Sequence, residues 1–365
     1  MIPAHAAAVR LHHLIAEASN QFNVVLLSDE ADAYSKSSLK YFEGLFSVHL
    51  AGGRADHTGS GRVERIKNHS HAVIKAQLRM LAACYQPALV QIEFMELSKL
   101  IEVKEGAAPW LLTVHEAWTS TTAEGASDED RYELALMKNF DAIITCCDED
   151  AQRIDHAPVY VVPNGAAIGE SSYVPSPELG PILFVGPFRY LPNLNGIQEF
   201  LERVYARLLR KIPGLQLWIL GGRDAPQIAS QRRCFAQEGV TVLSYVERSR
   251  ELLDQSALTI NPLRGVRGSC LKVAESIAAG RVCVSTAEGA RGFLNSSASS
   301  LLTVNTVEEF EAPMERLLCD AVYRRSIERA SADTLNAISW DHAGRKLTSI
   351  YSQLTQSQER HHGAQ

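Results

Sequence analysis

Residues 258–292 read LTINPLRGVRGSCLKVAESIAAGRVCVSTAEGARG and bring together side chains suited to one task, holding a phosphate. Arg264, Arg267 and Lys272 supply cations, and Gly265 and Gly268 allow backbone to approach a ligand closely. Ser269 precedes an apolar-periodic run, Leu271–Ala279, with Leu271, Ala274, Ile277 and Ala278 on one face and Gly280 as its stop. The first N–H groups of a helix lack partners inside it and sit at the positive end of its dipole. This order of residues therefore predicts a phosphate site at a helix start, formed by the backbone at Gly268-Ser269 and by Lys272. Glu275, one turn beyond Lys272, is expected near the strand ends where parallel sheets bind ligands. The competing reading is a plain tight turn with a solvated arginine rim, since glycine-rich loops also arise by chance.

The elements that must position these groups follow from the apolar runs. Leu258–Leu263 and Val282–Thr286 read as buried strands on either side of the helix, and Glu288-Gly289-Ala290-Arg291-Gly292 as a closing loop. Upstream, Pro181–Gly186 and Leu215–Leu220 read as strands, and Leu194–Ile212 as a helix with Leu194, Ile197, Leu201, Val204 and Leu208 at core spacing. A helix near Ile228–Gln237, a strand Val240–Tyr245 and a helix Arg248–Gln255 complete the approach. Beyond the loop come a strand Leu301–Val304, a helical tract Val307–Ala337, a break at Ser339-Trp340-Asp341, a last helix Ala343–Leu354 and a polar tail from Gln356. Strands alternating with helices predict doubly wound parallel sheets, an α/β fold.

The pattern PLR-G-x-x-G-x-x-x-K-x-x-E, then G-x-x-x-V-S-T and E-G-x-x-G, resembles the donor-binding segment of family 4 (group 1) glycosyltransferases. FVGPFRYLPNLNG at 184–196 is similar to the start of that family's donor domain, and VYVVPNG to the end of its first domain. The resemblance implies a GT-B fold, two facing Rossmann-like domains with a final helix that crosses back onto the first. It implies retaining, metal-independent transfer of a sugar from a nucleotide diphosphate sugar, which is a co-substrate, with no cofactor. The donor would be held by Gly186, Arg189, Arg264, Gly268, Ser269, Lys272, Glu275, Glu288 and Gly289, with Glu275 on the ribose and Lys272 on the diphosphate. Arg267 stands where the family has its first motif glutamate, which touches the donor sugar. A branch of the family lacks that glutamate, but carries a glycine where this chain has Val266. The acceptor would be a hydroxyl of a glycan, a lipid-linked sugar or a small molecule. It would sit in the cleft near His115, at the end of LLTVHEAW, and Glu93, at the end of ALVQIE. Together with Lys272 these two are the expected catalytic residues.

The first half is less explicit. Ile2–Phe22 suits a helix, Asn23–Ser28 a strand, and Val63 to about Tyr85 one helix; 34–61 gives no clear pattern. Ala88–Glu93, Trp110–His115, Phe140–Thr145 and Val159–Pro163 read as strands, and Ala166–Gly180 as a linker. The expected domains are 1–170, 171–337 and 338–365, the last a crossover helix and tail. In the family a first strand and glycine loop precede the first helix, and the chain begins where the loop would be: the strand is missing, lies upstream of residue 1, or is dispensed with.

Composition sets the outer bounds. A chain of 365 residues with 46% hydrophobic and 21% charged residues suits two globular domains. A net charge of −6 gives no reason to expect nucleic acid as a partner. No apolar run approaches a membrane span, and no signal peptide is evident, so a cytoplasmic location is expected. A peripheral membrane contact through the first domain stays open, although residues 1–85 show no persuasive basic amphipathic helix. The seven cysteines are scattered and odd in number, which suits reduced thiols and no metal site. The chain has no G-x-G-x-x-G with a downstream acid, no P-loop and no nucleophile elbow. Two alternatives remain: a nucleotide-sugar epimerase of the same fold, drawing on His115, Glu93 and Glu116, and a non-catalytic module.

Overall fold

The segments WLLTV, AIIT and ILFV are almost wholly apolar, the pattern of strands covered on both faces, whereas LTIN alternates. In the computed structural model each is buried in a parallel sheet. The structure describes residues 6–30, 42, 46–53, 61–117, 127–156, 158–169, 173–246 and 249–362. Most of the 34–61 stretch, Trp118, Arg248 and the last three residues of the tail lie outside these. The chain divides into two compact units, 1–163 with 341–365, and 164–340.

The first unit begins with the helix Ala6–Ser19. A parallel pair follows, β1 (Val25–Ser28) with β2 (Ser47–Leu50). Its main sheet runs β3 (Val90–Glu93), β4 (Trp110–Val114), β5 (Ala142–Thr145), β6 (Val159–Val161), neighbours in that order and all parallel. The expected single helix from Val63 to Tyr85 is two, Arg62–His69 and Ala72–Tyr85. His71 is extended there and its ring accepts from the Ile74 N–H, capping the second helix rather than continuing the first.

The second unit holds one six-stranded parallel sheet, built from β7 (Ile182–Val185), β8 (Leu217–Leu220), β9 (Val240–Leu243), β10 (Leu258–Asn261), β11 (Cys283–Thr286) and β12 (Leu301–Val304). Its order is β12-β11-β10-β7-β8-β9. Ile182, Phe184, Leu217, Ile219, Leu258 and Ile260 form the centre of the core with the helix residues Ile197, Phe200 and Val204. The expected helix 194–212 is interrupted: α-helix Leu191–Phe200, one π turn Leu201–Tyr205, then Ala206–Lys211. The expected helix 228–237 is a short helix Ala225–Ser230 and a 3₁₀ turn Arg233–Ala236. The long tract 307–337 is cut where Asp320 and Ser331 accept from the N–H groups of Tyr323 and Thr334 and so start new helices.

Two boundaries differ from expectation for the same reason, long-range backbone pairing. The first unit ends at Pro163, not residue 170, because Ala166 donates to the Ile338 carbonyl at 2.8 Å and bridges Ser339, while Arg281 donates to the Val174 carbonyl. The expected break before the last helix is present, at Ile338-Ser339, but that helix starts at Trp340, three residues earlier than expected, and continues to His362 through most of the stretch expected to be a loose tail. Trp340 N–H donates to the Ala166 carbonyl, and Asp341 sits in the first turn, where the helix dipole favours an anion. The rest of this helix belongs to the first unit. A Cβ on Gly344 would come within 2.3 Å of Glu17 Cγ, so glycine permits its close approach to the N-terminal helix.

Candidate functional site

β7 opens the second unit, and the chain winds from it through β8 to β9 on one side before returning to β10 on the other. The loops leaving the carboxyl ends of β7 and β10 therefore part and frame a crevice, the place where doubly wound sheets bind ligands. Gly186 opens the first loop, and a Cβ there would lie 2.5 Å from Asn193 Cγ. Asn193, in the first turn of the helix Leu191–Phe200, donates to the Pro187 carbonyl at 3.1 Å and accepts from Lys272 Nζ at 2.7 Å. Lys272 belongs to the first turn of the helix Leu271–Ala278, and its ammonium also lies 4.8 Å from the Phe184 ring centroid. Burial pulls its pKa down to about 8 against the attraction of Cys270, Cys283 and Glu275. Burial likewise pushes Glu275 up, opposed by Lys272. The two side chains line one small pocket with Val185, Ser249, Thr259 and Cys283.

The second loop is braced from the β11 side. Gly265 and Gly268 adopt φ 65° and 68°, conformations that favour glycine. The Glu288 carboxylate accepts from the Gly265 N–H, and the Thr286 hydroxyl donates to the Leu263 carbonyl. Asn261, buried in β10, donates to the Gly289 carbonyl at 2.8 Å. A Cβ on Gly289 would lie 2.7 Å from Asn261 Nδ2, so the two loops meet only because that position is glycine. Ser269 is held by Asn164, whose amide donates to its carbonyl at 3.1 Å and its hydroxyl at 2.8 Å. No acidic residue occupies the first turn of the helix that follows.

A separate cluster sits at the carboxyl ends of β3, β4 and β5 in the first unit. Glu93 Oε2 is 2.8 Å from His115 Nε2, while Glu93 Oε1 accepts from Thr113 at 3.1 Å and from Gln91. The parallel register pairs Val114 with Thr145, which places Cys146 beside His115. Burial opposes a charge on His115, but the hydrogen bonds and charges of Cys146 and Glu93 outweigh it and raise its pKa to about 9. Glu93 is held below its ordinary value: burial works against this, and the His115 hydrogen bond and charge overcome it. Cys146 is lowered too, with burial outweighed by Arg10 and His115. Arg10, itself buried, donates to the Val162 and Pro163 carbonyls. Tyr351 donates to Gln91 at 2.7 Å.

The structure thus brings Gly186, Lys272 and Glu275 to one place, Gly268, Ser269, Glu288 and Gly289 to the loops beside it, and Glu93 with His115 to another. Arg189 is exposed on the turn after β7, and Arg264 is exposed with Glu199 3.8 Å away. Arg267, at the family's first glutamate position, donates to its neighbour's carbonyl at 3.3 Å. Sequence reasoning missed Asn193, Asn164, Phe94, Arg10 and Cys146. The P-N dipeptide within FVGPFRYLPNLNG was the one signal for Asn193; the others are placed by partners distant in sequence. Among the described residues no group of three or more His, Cys, Asp or Glu is arranged to hold a metal ion. No described helix is long and apolar enough to cross a membrane.

Residues 181–320 match the family described as Glycosyl transferases group 1. A comparison with curated proteins gives no match. Among solved structures, the chain is similar to sucrose-phosphate synthase from Thermosynechococcus elongatus, at 14% identity and TM-score 0.73, over 98% of this chain and 97% of that one. It is similar to trehalose-6-phosphate synthase from E. coli bound with UDP-2-fluoro glucose, at 14% identity and TM-score 0.67, over 97% and 96%. It also resembles α,α-trehalose 6-phosphate synthase from Burkholderia multivorans, at 14% identity and TM-score 0.62, over 79% and 75%. The family match lies within the second unit, and the GT-B fold of these glycosyltransferases is the fold of this chain.

Proposed function

We propose that this protein transfers a sugar, with retention and without a metal, from a nucleotide diphosphate sugar to a hydroxyl of a glycan, lipid-linked sugar or small molecule. The observation that carries the reading is the pair of glycine loops at the β7/β10 switch point, bridged by Lys272 and Asn193 inside the glycosyltransferase domain. When the anomeric C–O bond breaks, negative charge collects on the departing diphosphate. A fixed cation and a helix N-terminus aimed there lower the barrier, because they need no reorganisation as the charge forms. Lys272 and the Gly268-Ser269 backbone supply these, and Glu275 is the residue for the ribose. With its pKa near 9, His115 is an imidazolium at neutral pH. Its role is that of a hydrogen-bond donor rather than a general base, with Glu93 fixing its ring. A cytoplasmic site of action fits an acceptor made beside the nucleotide-sugar pool.

The test is thermal unfolding with UDP-, GDP- and ADP-sugars, on wild type and Lys272→Ala. A ligand that binds only the folded state at 100 times its Kd adds about 2.7 kcal/mol. The expected result is a rise in Tm with one nucleotide family, lost in the variant. Turnover in excess EDTA, with the product's anomeric configuration read by NMR, tests metal independence and retention. Binding without turnover for any acceptor would favour the non-catalytic reading instead.

A further inference from the structure

A carboxylate, Glu275, lies one helical turn from Lys272, yet the atom that receives the ammonium's hydrogen bond is neutral, the side-chain oxygen of Asn193. We propose that Asn193 is a positioning residue: it aims the Lys272 ammonium at the β7/β10 switch point without cancelling its charge, leaving that charge for the diphosphate of the donor. This rests on the donor site proposed above and adds the device that orients its cation.

Three features fix the arrangement. The Asn193 amide donates to the Pro187 carbonyl, which can only accept, so its oxygen must be the atom facing Lys272. Gly186 leaves the room Asn193 needs, since any Cβ there would overlap its carboxamide. Gly196, one turn later on the same helix, would place a Cβ 2.5 Å from the Pro262 carbonyl oxygen. Glycine there lets the helix press against the β10 loop, so Asn193 is locked to the loop that leads into Lys272. The other groups facing Lys272 are Glu275 and Cys270 of its own segment and Cys283 of β11, whose thiol burial pushes up to about 11. Phe184 beneath it adds its ring face. Asparagine in such a setting steadies a cation through its dipole, whereas an aspartate would pair with the cation and screen it from an incoming anion.

The experiment labels the full chain with [ε-13C]lysine, assigns Lys272 with Lys272→Met, and titrates wild type, Asn193→Ala and Asn193→Asp by NMR. Nucleotide-sugar affinity is measured on the same proteins. Removing the acceptor in Asn193→Ala should move the Lys272 titration to lower pH, and the new carboxylate in Asn193→Asp should move it to higher pH. Both should weaken donor binding, by about 10-fold or more. A purely structural asparagine predicts wild-type donor affinity in the isosteric Asp variant, which also keeps the experiment readable if the Ala variant unfolds. An unmoved titration in Asn193→Asp, or wild-type affinity in that variant, overturns the proposal. If wild type itself binds no nucleotide sugar, the donor reading fails, and the titrations still decide whether Asn193 controls Lys272.

Discussion

The ring of Phe94 lies flat against that of His115, centroids 4.2 Å apart and planes 14° from parallel, and Phe94 holds it there from a backbone at φ 72° and ψ 143°. That combination is glycine territory, and a bulky residue in it carries about 1–3 kcal/mol of strain. The surrounding hydrogen bonds impose it: the Phe94 N–H reaches the Thr113 carbonyl at 3.1 Å, and the Phe94 carbonyl accepts from Leu97. The stacked ring and the Glu93 carboxylate together fix one orientation of His115.

Phe94→Ala and Phe94→Gly separate ring from strain. Both lose the stacking, but only glycine relieves the backbone. Glycine is usually the less stable of the two by about 0.5–1 kcal/mol. Here the order should reverse, with Phe94→Gly more stable than Phe94→Ala by about 1 kcal/mol in urea unfolding. The usual order would show that position 94 is unstrained.

The charge on His115 makes a signed prediction about pH. Its folded pKa of about 9 lies above the ordinary value near 6.5. The stability it contributes is complete below about 6.5 and is lost as pH rises through 9. Cys146 shares in raising that pKa, so removing one partner in Glu93→Gln should cost only part of that stability, about 1–2 kcal/mol at pH 6 and progressively less toward pH 9.5. Denaturant midpoints of both proteins across this range measure the gap. A gap that stays constant would mean His115 is neutral and is free to serve as a base.

Gly186→Ala tests the construction of the β7 loop. The new methyl would meet Asn193 at 2.5 Å and force it away from Lys272. Overpacking of this kind costs about 1–3 kcal/mol, a fall of about 2–10 °C in Tm for a domain of this size. Any nucleotide-sugar shift seen with wild type should shrink with it. Gly52→Ala is the control: a Cβ there has nothing within 4 Å, and the change should stay within about 0.5 kcal/mol.

What the sequence disclosed and what it hid divide along a physical line. Strands such as β4 and β7 were legible because a segment covered on both faces is almost wholly apolar. Lys272, Gly265 and Gly268 were legible because a helix start beside a loop has local punctuation. Asn193 was not, since its partner Lys272 is 79 residues away. Arg10 reads as one basic residue on an amphipathic helix until its guanidinium meets carbonyls about 150 residues on. Phe94 closes an ordinary strand sequence, and only the fold imposes its positive φ. The unit boundary at Pro163 rests on pairing between Ala166 and the 338–339 backbone, which no local composition encodes.

Glu133 offers a last test, of electrostatics away from the proposed site. Arg62 Nη1 is 2.9 Å from Glu133, Nη2 is 2.6 Å from Asp130, and Nε is 3.2 Å from Glu129, so three carboxylates share one guanidinium. Glu133 is the most buried of them, and burial raises its pKa to about 7, against the pull of Arg62 and with the repulsion of Asp130 and Glu129. Between its ordinary value and pH 7 the folded state keeps a proton that the unfolded chain releases, so stability falls as pH rises through this window. Glu133→Gln keeps an acceptor for Arg62 and removes the titration. The variant should gain on wild type as pH goes from 5 to 8, by up to about 3 kcal/mol. Urea midpoints at those two pH values suffice to measure it. A difference that does not grow would show that Arg62 holds Glu133 ionised throughout, and that the guanidinium outweighs both burial and the neighbouring carboxylates.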